Sequence, residues 1–451
     1  MESVNPDAMI ESAARIPLVK SAGNELQALL APIAPETFVR EYWGKKPLFV
    51  RGFKEKYAGF FDGEAFSRAL SMPGPVPLDF LRASFDRKAD DGTSAMPSVP
   101  GEARSTAFRA NLDQAVALFD AGATLCVSQI ETRITSLAPF VTAIKRQLGY
   151  PCRVSFNAYL SPPGSGYNWH FDSRIATTLQ IEGTKKWRFS NAPAMPWPRA
   201  NGSIRADGVA QYADATVTAQ TWERLAPFDE KDATEVLLEP GDLLILPAGV
   251  WHEACGGTGG SLALNLAFTP VSYTFIVSQI LDALLAPDPA WRSPAPLLAG
   301  AQPGEFDSGS IDAITAQLHH AASVLQSLKG DSAAVVRVWQ SLVRAGSPGT
   351  PQDGKSQAGA AAVQQTQRLR VRDDVHAMLA DDGAQLCLSV GALGSLELSG
   401  PAIYFVQRML AEREFIAGDC AAWTSDGKPF AWSDVQSMLT SLKREGLLQD
   451  A

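Results

Sequence analysis

Between Cys152 and Pro270 the chain is cut into short runs rich in β-branched and aromatic residues: CRVSFNAYL, IATTLQIE, TKKWRFS, EVLLE, DLLILP and SLALNLAFT. Gly, Pro and Asp punctuate them, so none can extend into a helix of useful length. Their apolar faces can be buried only against one another, which predicts a sandwich or barrel. The run from Ile175 is expected to end at a Gly183-Thr184 turn, with a new strand beginning at Lys185.

The flanks have a different period. NELQALLAPIAPETFVREYWGKKPLFVRG reads as helix, turn, helix and a short strand, and SLAPFVTAIKRQLG as a helix stopped by Gly149. SYTFIVSQILDALLAP, IDAITAQLHHAASVLQSL and SAAVVRVWQSLVRAG carry apolar residues at helical spacing, and SPGTPQDGKSQAGAAA reads as a linker. The last stretch holds two short strands, QLCLSV and SLELSG, and two helices, and resembles a small winged-helix module. The expected plan is α+β: a mobile start over 1–25, a domain built round the strands over 26–271, a helical block over 272–346, a linker over 347–365 and the terminal module over 366–451.

Charge narrows the partners. The net charge is −9, and from Arg368 onward eight Lys/Arg face twelve Asp/Glu, the wrong sign for a DNA-reading wing. Nucleic acid and anionic membranes are therefore not expected, whereas a basic protein remains compatible. No basic-then-apolar leader opens the chain and no apolar run reaches about 18 residues, which predicts a cytoplasmic protein without a membrane span. Five dispersed cysteines without a CxxC pair fit a reducing compartment and exclude a zinc ribbon.

Within NWHFDSRIATTLQIEGTKKW, His170 and Asp172 stand two apart, so a strand would aim an imidazole and a carboxylate into one space. A hydrogen-bonded surface pair is the alternative for an isolated H-x-D. A second histidine, His252, follows the buried run LLILP and the Pro247-Ala248-Gly249 turn. Two histidines and one carboxylate from two strands make the facial triad that leaves adjacent positions open on a non-haem iron. Lys185 alternates with Trp187 and Phe189, while Lys186 alternates with Arg188. A lysine on the apolar face needs an anion, unless it snorkels to the rim. Tyr159, closing an apolar strand, can meet a bound dicarboxylate or be a core tyrosine; Asn265, mid-strand in SLALNLAFT, can contact the cosubstrate or cap a neighbouring strand. His319 and His320 lie about 100° apart on a helix and cannot share a ligand. Cys255, lacking a second cysteine nearby, is expected to be a buried thiol, and His376 a solvated residue.

The motifs NAYLSPPGSG, HFD, LQIEGTKKWRF and LEPGDLLILPAGVWHEA, with FVREYWGKKPLFVRG before them, resemble the JmjC/cupin 2-oxoglutarate oxygenases, and within these the ribosomal-oxygenase branch. The resemblance covers most of the chain and is most specific over 152–270. It implies a double-stranded β-helix (jelly roll) core, metal ligands at His170, Asp172 and His252, and Lys185 on the distal carboxylate of 2-oxoglutarate with Tyr159 assisting. It further implies Fe(II), 2-oxoglutarate and O₂ as the working set, a homodimer formed through the helical block, and hydroxylation of a side chain in a protein or peptide. Two departures fall near the expected substrate entrance: a long segment between Asn191 and Thr234, and Trp169 in place of a small residue or Pro. Trp169, Tyr167 and Arg174 are accordingly the candidate substrate contacts. A small molecule or natural-product peptide as substrate, demethylation, and a non-oxidative metal-binding cupin are the competing readings.

Overall fold

The computed structural model describes residues 10–11, 17–21, 23–72, 81–84, 112–150, 152–204, 209–213, 225, 228–295, 300, 302, 304–305, 307–327, 362–372, 377–381, 386–390, 394–398, 401–424, 427–444 and 446–451. Contacts divide the chain into two units: Met1–Gln147 with Val154–Thr269, and Leu148–Arg153 with Pro270–Ala451.

Two long antiparallel neighbours organise the first unit, Ala176–Pro193 and Val250–Phe268, of 18 and 19 residues. The expected break at Gly183-Thr184 is a bend inside one strand. Gly183 has φ +64°, and a Cβ there would lie 2.2 Å from the Gly260 carbonyl oxygen, so only glycine lets the two strands cross so closely. The register shifts at the same place, between Gly256 and Ser261. Each long strand therefore serves two neighbourhoods. Ala176–Leu179 pairs with Leu243–Leu246, and Lys185–Phe189 with Thr234–Leu238. Val250–Phe268 pairs first with Gly166–Phe171 and then with Val154–Ser161. The sheet continues through Thr124–Ser128 to Leu81–Ser84 at one end and Leu48–Arg51 at the other.

Between the walls lies an apolar core of Trp187, Phe189, Leu238, Leu244, Leu246 and Val250. Asp242, 1% exposed, pins the incoming Leu48–Arg51 strand: it accepts from the Gly52 and Glu239 amides, both at 2.9 Å, and pairs with Arg51 at 2.7 Å. The predicted helix forms over Ala138–Leu148, buries Phe140, Val141 and Ile144, and stops at Gly149 with φ +60°. Part of the N-terminal segment expected to be mobile is ordered within this unit: Ile10–Glu11 pairs with Val50–Arg51, and Leu18 is buried. The long segment between Asn191 and Thr234 contains the short strands Gly202–Ile204 and Ala210–Tyr212. The first of them pairs with His170 and Phe171.

In the second unit, helix Tyr273–Leu285 is capped by Ser272, whose hydroxyl accepts from the Phe275 amide. A longer helix, Ser308–Ser327, buries only Ser310. The terminal module packs Phe405, Met409, Trp423, Val435, Leu439 and Leu448 from helices Pro401–Glu412 and Trp432–Arg444 and their neighbours. Leu386–Val390 and Gly394–Leu398 pair as predicted strands, and Ala377–Asp381 adds an unpredicted third. A second sheet, Glu414–Ile416 with Arg368–Val371 and Leu448–Asp450, was not anticipated because its strands are short and far apart in sequence. SAAVVRVWQSLVRAG, most of the linker and His376 lie outside the described residues. No described helix is long and apolar enough to cross a membrane.

Candidate metal centre

The strand Gly166–Phe171 decides which side chains meet. Trp169 and Phe171 are buried on one face; His170 points to the other. Opposite it, His252 is paired directly with His170, and an extra residue on the shorter strand then shifts the pairing to Ala254 with Tyr167. That bulge brings Tyr167 to the same side as His170, their rings 5.9 Å apart. Asp172 follows just past the strand, where its carbonyl accepts from the Gly249 amide at 2.8 Å.

Ligand atoms of His170, Asp172 and His252 all lie within 4.8 Å of one another. The two imidazoles have centroids 4.2 Å apart. Each Nδ1 faces a backbone carbonyl, Asn168 O at 2.7 Å for His170 and Val250 O at 2.8 Å for His252. A carbonyl only accepts, so Nδ1 carries a proton in both rings and Nε2 is the nitrogen left for the site. Burial pulls the His252 pKa down to about 4, helped by the neighbouring His170 and opposed by Asp172. His252 is therefore neutral at physiological pH, as a metal ligand must be. Two imidazole Nε2 donors and one carboxylate suit a divalent first-row metal.

The triad opens into a cavity of about 340 Å³, within the range of small-molecule sites, lined also by Tyr159, Tyr167, Arg174, Lys185, Trp187, Asn201 and Asn265. Lys185 is 3% exposed, and its Nζ has neither hydrogen bond nor ion pair among the described residues. Its neighbours are the faces of Tyr159 and Trp187, at 5.7 and 5.9 Å. The alternation read from the sequence holds, with Lys186 and Arg188 turned outward to Glu235 and Glu253. Desolvation lowers the Lys185 pKa from 10.5 to about 8. Because the folded value lies below the unfolded one, this group makes the ligand-free protein more stable as pH rises from about 8 toward 10.5. Affinity for an anion runs the other way. Binding of 2-oxoglutarate, followed by calorimetry with a catalytically inert metal, should weaken above pH 8 with a slope approaching tenfold per pH unit; a flat profile would remove Lys185 from the contact.

The other candidates divide. Tyr159, Tyr167, Arg174 and Asn265 line the cavity. Asn265 caps its neighbour, donating to Thr177 O at 2.7 Å, and also borders the cavity. Arg174 has no carboxylate partner among the described residues. Trp169 does not line the cavity. It is 5% exposed on the far face of the metal strand, against Phe228 at 4.5 Å and under the Arg188 guanidinium. Strand alternation is the reason: a residue adjacent to His170 must point away from it. The same parity corrects Cys255, which is exposed because His252 and Ala254 face inward. His319 and His320 stay outside the site; His320 packs on Trp291 at 5.5 Å. The sequence reading missed Asn201, whose amide donates to Asp172 Oδ1 at 2.9 Å, and Thr178, which lines the cavity. A long aperiodic segment was the only signal for Asn201, and it does not single out a residue.

Residues 133–275 match the JmjC domain family. The chain is 29% identical over 299 residues to chicken ribosomal oxygenase 1, covering 63% of this chain and 44% of that protein. It is 25% identical over 278 residues to the uncharacterized protein YxbC of Bacillus subtilis, covering 59% and 77%. A third relative is the bifunctional lysine-specific demethylase and histidyl-hydroxylase NO66 of Drosophila persimilis, 25% identical over 264 residues, covering 58% and 34%. The chain thus spans less than half the length of the chicken and fly relatives. Among solved structures, Escherichia coli YcfD, a ribosomal oxygenase, superposes with a TM-score of 0.51 at 14% identity, covering 93% of this chain and 98% of that one. That likeness supports the JmjC/cupin-like mixture of helices and antiparallel sheet.

Proposed function

We propose that the chain is an Fe(II)- and 2-oxoglutarate-dependent oxygenase that hydroxylates a C–H bond of an amino-acid side chain in a protein or peptide. The observation that carries this reading is one cavity holding a two-histidine, one-carboxylate donor set and a buried lysine without an anion. Iron bound there, with 2-oxoglutarate and O₂, supplies the oxidising power to place one oxygen atom in a C–H bond, leaving succinate and CO₂.

The chain's own residues do the rest. His170, Asp172 and His252 hold the ion by one side and leave adjacent positions free. Lys185 receives the distal carboxylate from within an apolar wall, where the charge pair is strong because water is scarce. Tyr159, Asn265 and Trp187 border the same pocket. Tyr167 and Arg174 line the cavity beside the metal ligands and are the proposed substrate contacts. Relatives called ribosomal oxygenase and histidyl-hydroxylase favour a protein substrate, and the net charge of −9 favours a basic one. The test is conversion of 2-oxoglutarate to succinate by purified protein with Fe(II), together with a +16 Da gain on a candidate substrate. Metal binding without succinate would favour a non-oxidative cupin.

The partner of the helical block is proposed to be a second copy of the chain. Ile311, Ile314, Leu318 and Leu325 are 51, 42, 64 and 37% exposed, and their spacing of three, four and seven residues makes one apolar seam on helix Ser308–Ser327. Light scattering should report a dimer for the native protein and a monomer for Leu318→Asp; a native monomer would end this assignment. The terminal module is proposed to be winged-helix-like, with a balance of −4 that argues against DNA.

A further inference from the structure

We propose that Asn201, supplied by the long segment between Asn191 and Thr234, is a positioning residue that holds the Asp172 carboxylate in a one-oxygen binding mode; this rests on reading His170, Asp172 and His252 as a metal centre. Asp172 lies at the loose end of its strand, with its side chain 24% exposed, so the strand alone does not fix it. Its two oxygens have different surroundings. Oδ2 faces His252 Nε2 at 3.9 Å, on the side where the ligand atoms converge. Oδ1 accepts from Asn201 Nδ2 at 2.9 Å.

The orientation of that amide is dictated by chemistry. Asn201 Oδ1 accepts from the Ser173 backbone amide at 2.8 Å and from the Ser173 hydroxyl at 3.0 Å. A backbone N–H can only donate, so the amide oxygen must face Ser173 and the NH₂ must face Asp172. A swapped amide would place an oxygen against the carboxylate and a donor against a donor.

Asn201 is itself held from behind. Its carbonyl accepts from the Ala213 amide at 2.7 Å. The next residue, Gly202, pairs with Phe171, and a Cβ there would lie 2.2 Å from the Phe171 ring. Tyr212, Phe171, Trp251 and Trp169 form one buried cluster beneath, joined by Ile204 and Ala210. Gly202–Ile204 and Ala210–Tyr212 thus act as a brace: their apolar side grips the back of the metal strand, and the Asn201 amide reaches round to the ligand. With Oδ1 engaged, Oδ2 is left to bind the ion. A carboxylate free to use both oxygens would take an extra coordination position, one of those the cosubstrate and O₂ need.

The test uses Co(II) as a visible probe of the full-length protein. Asn201→Ala should weaken Co(II) binding about tenfold, the lower end of what loss of a partner behind a metal ligand costs. It should also change the Co(II) d–d spectrum, since the donor count changes. Asn201→Asp keeps the shape but turns the donor into a repelling oxygen, and should weaken binding at least as much. The melting temperature of metal-free Asn201→Ala should stay near wild type, a readout that a purely structural role would move. His170→Ala separates the two ideas. If it leaves Co(II) binding intact, the metal-centre reading fails; if it abolishes binding while both Asn201 variants bind with wild-type affinity and spectrum, the positioning role is overturned.

Discussion

His170→Ala should abolish succinate formation from 2-oxoglutarate, with metal affinity falling by more than about 100-fold. The bound comes from comparison: losing a group that only orients a ligand costs roughly 10–100-fold, and losing the ligand itself must cost more. Only two donors would remain, Asp172 and His252. The fold should survive, because His170 is partly exposed to the cavity and the strand is held by its pairing with Val250–Phe268. Far-ultraviolet circular dichroism and a melting curve check this, so that lost activity is not confused with lost structure. Succinate formation equal to wild type would refute the assignment of His170 to the triad.

Lys185→Ala and Lys185→Met carry the second large effect, and its two parts have opposite signs. Removing one member of a buried charge pair costs ~2–5 kcal/mol of binding, so the 2-oxoglutarate requirement should rise roughly 30- to several-thousand-fold. Turnover at saturating 2-oxoglutarate should change far less, because the residue holds the distal end of the cosubstrate. The ligand-free protein, by contrast, should become more stable in Lys185→Met. A pKa lowered from 10.5 to about 8 by desolvation corresponds to ~3 kcal/mol stored against the charged form, and methionine fills similar space without a charge. An unchanged 2-oxoglutarate requirement would remove the residue from the cosubstrate site.

What could be read from the sequence was what strand parity controls over a few residues. His170 with Asp172, and Lys185 with Trp187 against Lys186 with Arg188, fall on the faces that period two assigns. Parity also contained the answer for Trp169 and Cys255. Trp169 is an unusual residue for its place, but its direction is set by its being next to His170 on a strand. Gly183 was misread for a physical reason: glycine with positive φ serves both a turn and a bend within a strand, and only the Gly260 backbone lying against it tells them apart. Asn201 was beyond reach. Its place depends on pairing between Gly202–Ile204 and a strand some thirty residues earlier, and short polar strands carry too little pattern to announce a partner. The same holds for the sheet joining Arg368–Val371, Glu414–Ile416 and Leu448–Asp450.

His170 and His252 are direct cross-strand partners, and Asp172 is tied by its backbone to the turn that precedes the second of those strands. An ion held by all three is therefore a rivet between two separate stretches of sheet. The unfolded chain cannot assemble that grip, so free metal at a thousand times its dissociation constant would add ~4 kcal/mol to folding. Differences of that size change how often a protein is caught open by proteases. Metal supply would then govern how long each copy of the protein persists in the cell, as well as whether it is active.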